Sequence, residues 1–486
     1  MQYDMITHPA DMKLYRTKFA TEKQRAIWGE ENIIAKRLLV EATLAEAQAE
    51  MGMIPKKALA EIKRKANLKY FTAERYAELY ALKGHDIVAL VWGLNEICED
   101  GWGEYVHWRS TTQDIMWTST ALLLRESIDD LIGELQLLED EFLKIIEEHK
   151  TTVMPGRTHG QHCPPISFGF LLGIQAAALR RHIERMKSER RTTVVAKITS
   201  AVGTGSSYGT PKETLELGRR IAEKLDLDVP TISESEAARD RVQGPLAVCS
   251  MISVGLEKTA RDFWTMQRPE IGEVAEPFRE GDQVGSSTLA HKRNPFGCEW
   301  IIGLAKLIRS GANVVMDLYC PDIRDASRLA VEYVAVPQAL MMTASICSQM
   351  RNILSGLTVN KDRMFQNCWI EGGLSMDEPV MLALAPHLGR QSAHDLVYEI
   401  THACFHQKKT LKKGLLQNKV VMKYLGEKEI DQLTRYENYL GTAPKQVELT
   451  ISAIRKARRA EGLDKKKPKG GRKPNRKKAE RPKMHR

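Results

Sequence analysis

Apolar residues recur at helical spacing along most of this 486-residue chain. Over residues 32–51 they fall at Ile33, Ile34, Leu38, Leu39 and Leu44, and Gly52 and Pro55 then close the segment. The same rhythm runs through residues 118–149, from Leu122 and Leu124 to Ile145 and Ile146, with acids and lysines between. No proline interrupts that stretch, which predicts a helix of roughly 45 Å at about 1.5 Å per residue. Further helices are predicted over 166–191, 236–266, 296–318 and 332–357. Helices this long, with broad apolar faces, suit a bundle extended by neighbouring subunits. The pattern breaks at 101–112, 154–165, 203–211, 277–295 and 320–328. Chemistry is expected in these breaks, because rigid helices position the loops that carry function.

Composition supports an all-α chain. Aromatic residues are 6%, and stretches alternating Val, Ile and Thr are scarce. Three helical domains are expected: residues 1–110, a central long-helix bundle over 111–360, and 361–462, followed by a basic tail at 463–486. The net charge of +10 belongs to that tail. From Lys465 onward there are twelve Lys/Arg against Glu480 alone, so the preceding 464 residues sum to about −1. Such a tail is expected to be disordered, and its charge allows weak nucleic-acid contact.

There is no run of about 18 uncharged apolar residues and no signal-like start, so no membrane association is expected. Eight cysteines lie scattered without a CxxC pair. They read as free thiols of a cytoplasmic protein, with no metal or other cofactor implied.

Four segments carry candidate chemistry. Residues 285–295, Gly-Ser-Ser-Thr-Leu-Ala-His-Lys-Arg-Asn-Pro, join a glycine entry, paired hydroxyls and a cluster of cationic and amide donors. Residues 154–161 place Thr158 and His159 between Gly156 and Gly160, just ahead of a predicted helix whose N–H groups favour anions. Residues 106–114 contain His107, Arg109, Thr111, Thr112 and Gln113, and the threonines also fit helix N-capping. Residues 84–89 contain His85 and Asp86, which fit a capping pair equally well.

The 285–295 loop closely resembles the GSSxMPxKxNP signature of the fumarase/aspartase superfamily, in the branch of adenylosuccinate lyases and 3-carboxy-cis,cis-muconate cycloisomerases. Leu289-Ala290 departs from its usual Met-Pro. The resemblance, covering about residues 20–455, implies a lyase that eliminates fumarate from a succinyl adduct. It makes Ser286 or Ser287 the base, His159 the general acid and Glu299 the carboxylate partner of that histidine. Thr111, Thr112, Lys292 and Asn294 would bind substrate carboxylates, with His85, Asp86, His107, Thr158 and Gln161 around them. It also implies a homotetramer whose sites are shared between chains, acting on a small dicarboxylate-containing substrate.

Substrate identity is less legible. Lys18-Phe19 stands where adenylosuccinate lyases have Arg-Tyr, and Leu329-Ala330-Val331-Glu332-Tyr333 stands where they have a serine-rich SSAER stretch. Arg239 and Arg324 remain as candidates for a phosphate or a third carboxylate. His107-Trp108 and residues 437–444 resemble the cycloisomerases instead. The expectation is an adenylosuccinate-type C–N lyase. The alternatives are a cycloisomerase or a lyase acting on another N- or S-succinyl compound.

Overall fold

The computed structural model describes residues 8–233 and 238–464. The basic tail from residue 465 onward, and the first residues of the helix expected from 236, lie outside that range.

Helix α1 (Glu30–Glu50) opens on Glu30 and Glu31, acids that complement the positive end of the helix dipole. α2 (Asp86–Ile97) follows His85, its N-cap residue. The longest helix, α3 (Thr112–Glu148), begins six residues before the expected one. Thr111 caps it, and Asp114 accepts the Thr111 N–H at 3.1 Å, a local stop signal that outranks apolar periodicity.

Residues 153–167 correct the sequence reading. They form a hairpin, β1 (Val153–Thr158) with β2 (Gln161–Ser167), in place of a loop. Pro155, Gly156, Pro164 and Pro165 erase the alternation that would announce strands. The chain continues through α4 (Phe168–Thr193), α5 (Pro211–Leu225), α6 (Asp240–Met266), α7 (Phe296–Met316) and α8 (Ser327–Gly356). After several shorter helices it ends on α9 (Ala443–Ala460).

Three apolar clusters hold these elements. The largest joins α3, α4, α6, α7 and α8, with fully buried Leu135, Phe142, Phe263 and Leu340 among its members. α9 packs onto it through Val447, Ile451 and Ile454. A second cluster gathers α1, α2 and the first turns of α3, and it also takes in residues 194–227 with α5. The third lies within residues 365–440, apart from Val153. Among the described residues, α8 is the one helix long and apolar enough to cross a bilayer. Its residues 333–350 are uncharged, but Gln338, Thr343, Ser345, Ser348 and Gln349 keep them from forming a continuous apolar run. Half of its most apolar window is buried against the protein itself, as befits a bundle's core helix.

Candidate active site

The start of α3 is built from the inside outward. Asp114 is 2% exposed and ties two segments together. Its oxygens accept from the Thr111 N–H at 3.1 Å, the Ser110 hydroxyl at 3.1 Å, the Tyr208 hydroxyl at 2.9 Å and the Thr199 N–H at 2.8 Å. Burial pushes its carboxyl above the usual range, and these donors oppose the shift. Sequence reasoning gave Asp114 no role, although Thr-x-x-Asp is a capping-box pattern.

Thr111, positioned in this way, meets Arg324, whose Nη1 donates to Thr111 Oγ1 at 3.4 Å. The Arg324 Nε and Nη2 are buried and have no acceptor among the described residues. Unmatched guanidinium N–H groups are costly to bury, so this geometry suits an incoming carboxylate or phosphate. Thr112 is the first residue of the same helix.

His107 stands on the same approach, with Nδ1 2.7 Å from Glu41 Oε1. Burial acts to lower its pKa, but the Glu41 carboxylate outweighs that, and the imidazole is held above its ordinary value. Glu41, 1% exposed, lies 66 residues away in sequence and had no signal of its own. Arg109 takes φ 60°, in the left-handed region. That conformation costs a residue with a Cβ more than it costs glycine, and the Arg109 side chain is exposed.

His85 caps α2 by accepting the Val88 N–H at 3.4 Å, and its ring is exposed. Asp86 turns inward and pairs with Arg37 at 2.8 Å. Arg239 does not await a ligand. Its guanidinium is 2% exposed, pairs with Glu332 and lies 5.6 Å from the Trp117 ring, although its Nε lacks an acceptor. The partner Glu332 is 93 residues away, which hides the pair from sequence reasoning.

His159 sits at the tip of the β1–β2 hairpin. Thr158 and Gln161 pair across a two-residue turn, with His159 at φ 53° and Gly160 at φ 78°. Two successive positive φ values match the twist of a tight hairpin. Thr158 Oγ1 is 2.9 Å from Cys163 Sγ, and Gln161 is exposed. Arg157 anchors the arm by a two-pronged contact to buried Glu273, at 3.0 and 2.5 Å. The His159 ring is exposed and unpartnered among the described residues.

Residues 285–295 form a closed, exposed loop. Asn294 donates its amide to the Gly285 carbonyl at 2.8 Å, so one of the donors that the resemblance assigns to substrate holds the loop shut. A Cβ on Gly285 would lie 2.0 Å from the Lys292 carbonyl oxygen, which excludes any side chain there. Ser286 Oγ accepts the Leu289 N–H at 3.1 Å and the Thr288 N–H at 3.3 Å. Ser287 and Lys292 face solvent without such bonds among the described residues. Behind the loop, Glu276 accepts the Gly297 and Cys298 N–H groups at 3.0 and 2.6 Å and fixes the start of α7. Glu299 is exposed and accepts from Trp264 Nε1 at 3.3 Å, so within one chain it does not hold His159.

The chain thus brings Thr111 and Arg324 into contact, with His107 and Asp86 on adjoining segments. His159 and the serine loop stay on separate exposed turns. Among the described residues, no group of three or more His, Cys, Asp or Glu side chains could hold a metal ion.

Comparison with known proteins fits this geometry. Residues 10–309 match the family described as Lyase, and residues 373–449 match the adenylosuccinate lyase C-terminus. An adenylosuccinate lyase of Methanocaldococcus jannaschii is 39% identical over 453 residues, spanning 93% of this chain and 96% of the relative. An N-acetyl-S-(2-succino)cysteine lyase of Dickeya dadantii is 33% identical, over 92% of this chain and 98% of the relative. The crystal structure of 3-carboxy-cis,cis-muconate lactonizing enzyme from Pseudomonas putida superposes with a TM-score of 0.85 at 27% identity, over 92% of this chain and 99% of that one. The chain belongs to the lyase family, within the fumarase/aspartase superfamily.

Proposed function

We propose that this lyase releases fumarate from an N- or S-succinyl adduct. The observation that carries the reading is Arg324, with two buried N–H groups lacking acceptors beside the Thr111 hydroxyl at the start of α3. That arrangement suits one carboxylate of a succinyl group. Lys292, on the serine loop, suits the other.

In the proposed reaction Ser287 removes a proton from the carbon beside a carboxylate, and the charge spreads into that carboxylate. The C–N or C–S bond then breaks, its electron pair leaves with the heteroatom, and His159 protonates that atom. The two loop serines divide their work. Ser286 holds the turn through two N–H contacts, and Ser287 is the hydroxyl presented to substrate. A serine acts as base only when nearby charge and dipoles stabilise its alkoxide, and Lys292 is placed in sequence to do so.

His159 and the serine loop lie on turns that one chain leaves exposed, so we place them in a site shared between subunits of a homotetramer. Glu299 would then orient a neighbouring subunit's histidine. The eight free cysteines support a reducing, cytoplasmic setting.

The test is a panel of N-succinyl and S-succinyl adducts, adenylosuccinate included, followed by fumarate absorbance. Fumarate release from at least one adduct is expected. Consumption of 3-carboxy-cis,cis-muconate without any fumarate release would establish instead the cycloisomerase reading that the P. putida structure favours.

A further inference from the structure

A cavity of about 460 Å³ opens between α1, the start of α3 and the start of α8. Its size is ordinary for a small-molecule site, for which roughly 300–1,000 Å³ is usual. Gln113 on its wall directly follows Thr112, and Asp86 directly follows His85. Arg328 and Leu329 on the opposite wall, in the first turn of α8, follow Arg324 by four and five residues. The cavity therefore adjoins the place where Arg324 meets Thr111.

The charges on its wall are already matched. Arg37 pairs with Asp86 at 2.8 Å and donates to the Tyr76 hydroxyl at 2.7 Å. Glu332 pairs with Arg328 at 2.7 Å and also receives Arg239 from behind. Glu30 adds a further acid, so the lining holds three acids against two arginines. With Arg239 counted, the three acids face three arginines, so a phosphate dianion entering here would meet no unmatched cation on this wall, and binding it would require breaking an existing ion pair. Most of the remaining wall is apolar, with Trp28, Ile33, Met116, Leu123 and Val336 among its residues. Pro337, inside α8, also lines this wall.

We propose that this cavity is the leaving-group subsite and that it takes an uncharged amine or thiol with an apolar body, discriminating against phosphorylated groups. The proposal rests on the fumarate-releasing reading for its chemistry. The binding preference is measurable without turnover. Tyr333, 52% exposed, stands at the rim.

Calorimetry on the full chain at neutral pH, with fumarate present, would compare aniline and benzyl mercaptan with AMP. At least one neutral probe should bind about tenfold or more tighter than AMP. Ile33→Trp, which fills the cavity from a half-buried position, should weaken that binding about tenfold while circular dichroism is unchanged. Tyr333→Arg, at an exposed position, should raise AMP affinity several-fold by adding an unmatched cation. Tighter binding of AMP than of both neutral probes overturns the proposal, and so does neutral-probe binding that a folded Ile33→Trp leaves intact. If the preference holds while no succinyl adduct yields fumarate, the cavity assignment stands and the proposed reaction fails.

Discussion

The start of α3 and the two exposed turns are built on opposite principles. At Thr111 the positions are set within one chain. Asp114 ties 110–111 to residues 199–200, Arg324 reaches the threonine hydroxyl, and Glu41 holds His107. At His159 and Ser287 only the backbone is fixed, by a tight hairpin turn and by a loop that Asn294 and Ser286 close. The side chains assigned to proton transfer face outward without partners among the described residues. The contrast teaches a division of labour. Groups that hold charge are preorganised inside the subunit, where low dielectric strengthens them. The groups that would move protons in the proposed reaction are carried on exposed turns, from which the proposed oligomer would have them reach a neighbouring chain's site.

Substitutions can break this division one half at a time. The largest effect is expected at the tips: Ser287→Ala or His159→Ala should lower kcat about 10²–10⁴-fold with little change in melting temperature, since neither side chain supports the fold. Ser286→Ala should act differently, loosening the loop. Arg324→Ala belongs to the preorganised half and should raise KM roughly 10- to 100-fold, the loss of hydrogen bonds to a charged group. Steady-state kinetics on the same adduct would separate the two patterns, and an equal fall in kcat for Arg324→Ala would blur the division.

A smaller effect is expected from pH. The His107 imidazole is held above its ordinary value of about 6.5 by Glu41. Its stabilising contribution is therefore complete below about pH 6.5 and is lost as pH rises through the folded-state value. The melting-temperature difference between the wild type and His107→Gln should shrink with rising pH, and KM should climb over the same window. The smallest effect is expected at Arg109. Arg109→Gly relieves left-handed strain of about 1 kcal/mol but adds unfolded-state entropy of about the same size, so thermal denaturation should scarcely move.

Much of the architecture could be read from the sequence, because long helices declare themselves through apolar spacing. α1, α4, α7 and much of α3 lie close to the expected ranges. The β1–β2 hairpin escaped detection because prolines and glycine replace strand alternation. Within the candidate site, the motif residues were visible as types and spacings, and Thr111 and Arg324 do meet. What stayed hidden was pairing at long range. Glu41 with His107 and Glu332 with Arg239 leave no local trace, and the second pair removes an arginine that otherwise looked available for a phosphate. Asp114 alone could have been found, from its capping-box spacing after Thr111.

The central claim is that acid and base come from different chains, and co-expression of His159→Ala with Ser287→Ala tests it most directly. Each homogeneous variant should be nearly inactive. Mixed oligomers should recover activity toward about a quarter of the wild-type level, because random assortment leaves some sites with both groups intact. Mixed oligomers as inactive as either parent, with assembly verified by mass, would contradict the account.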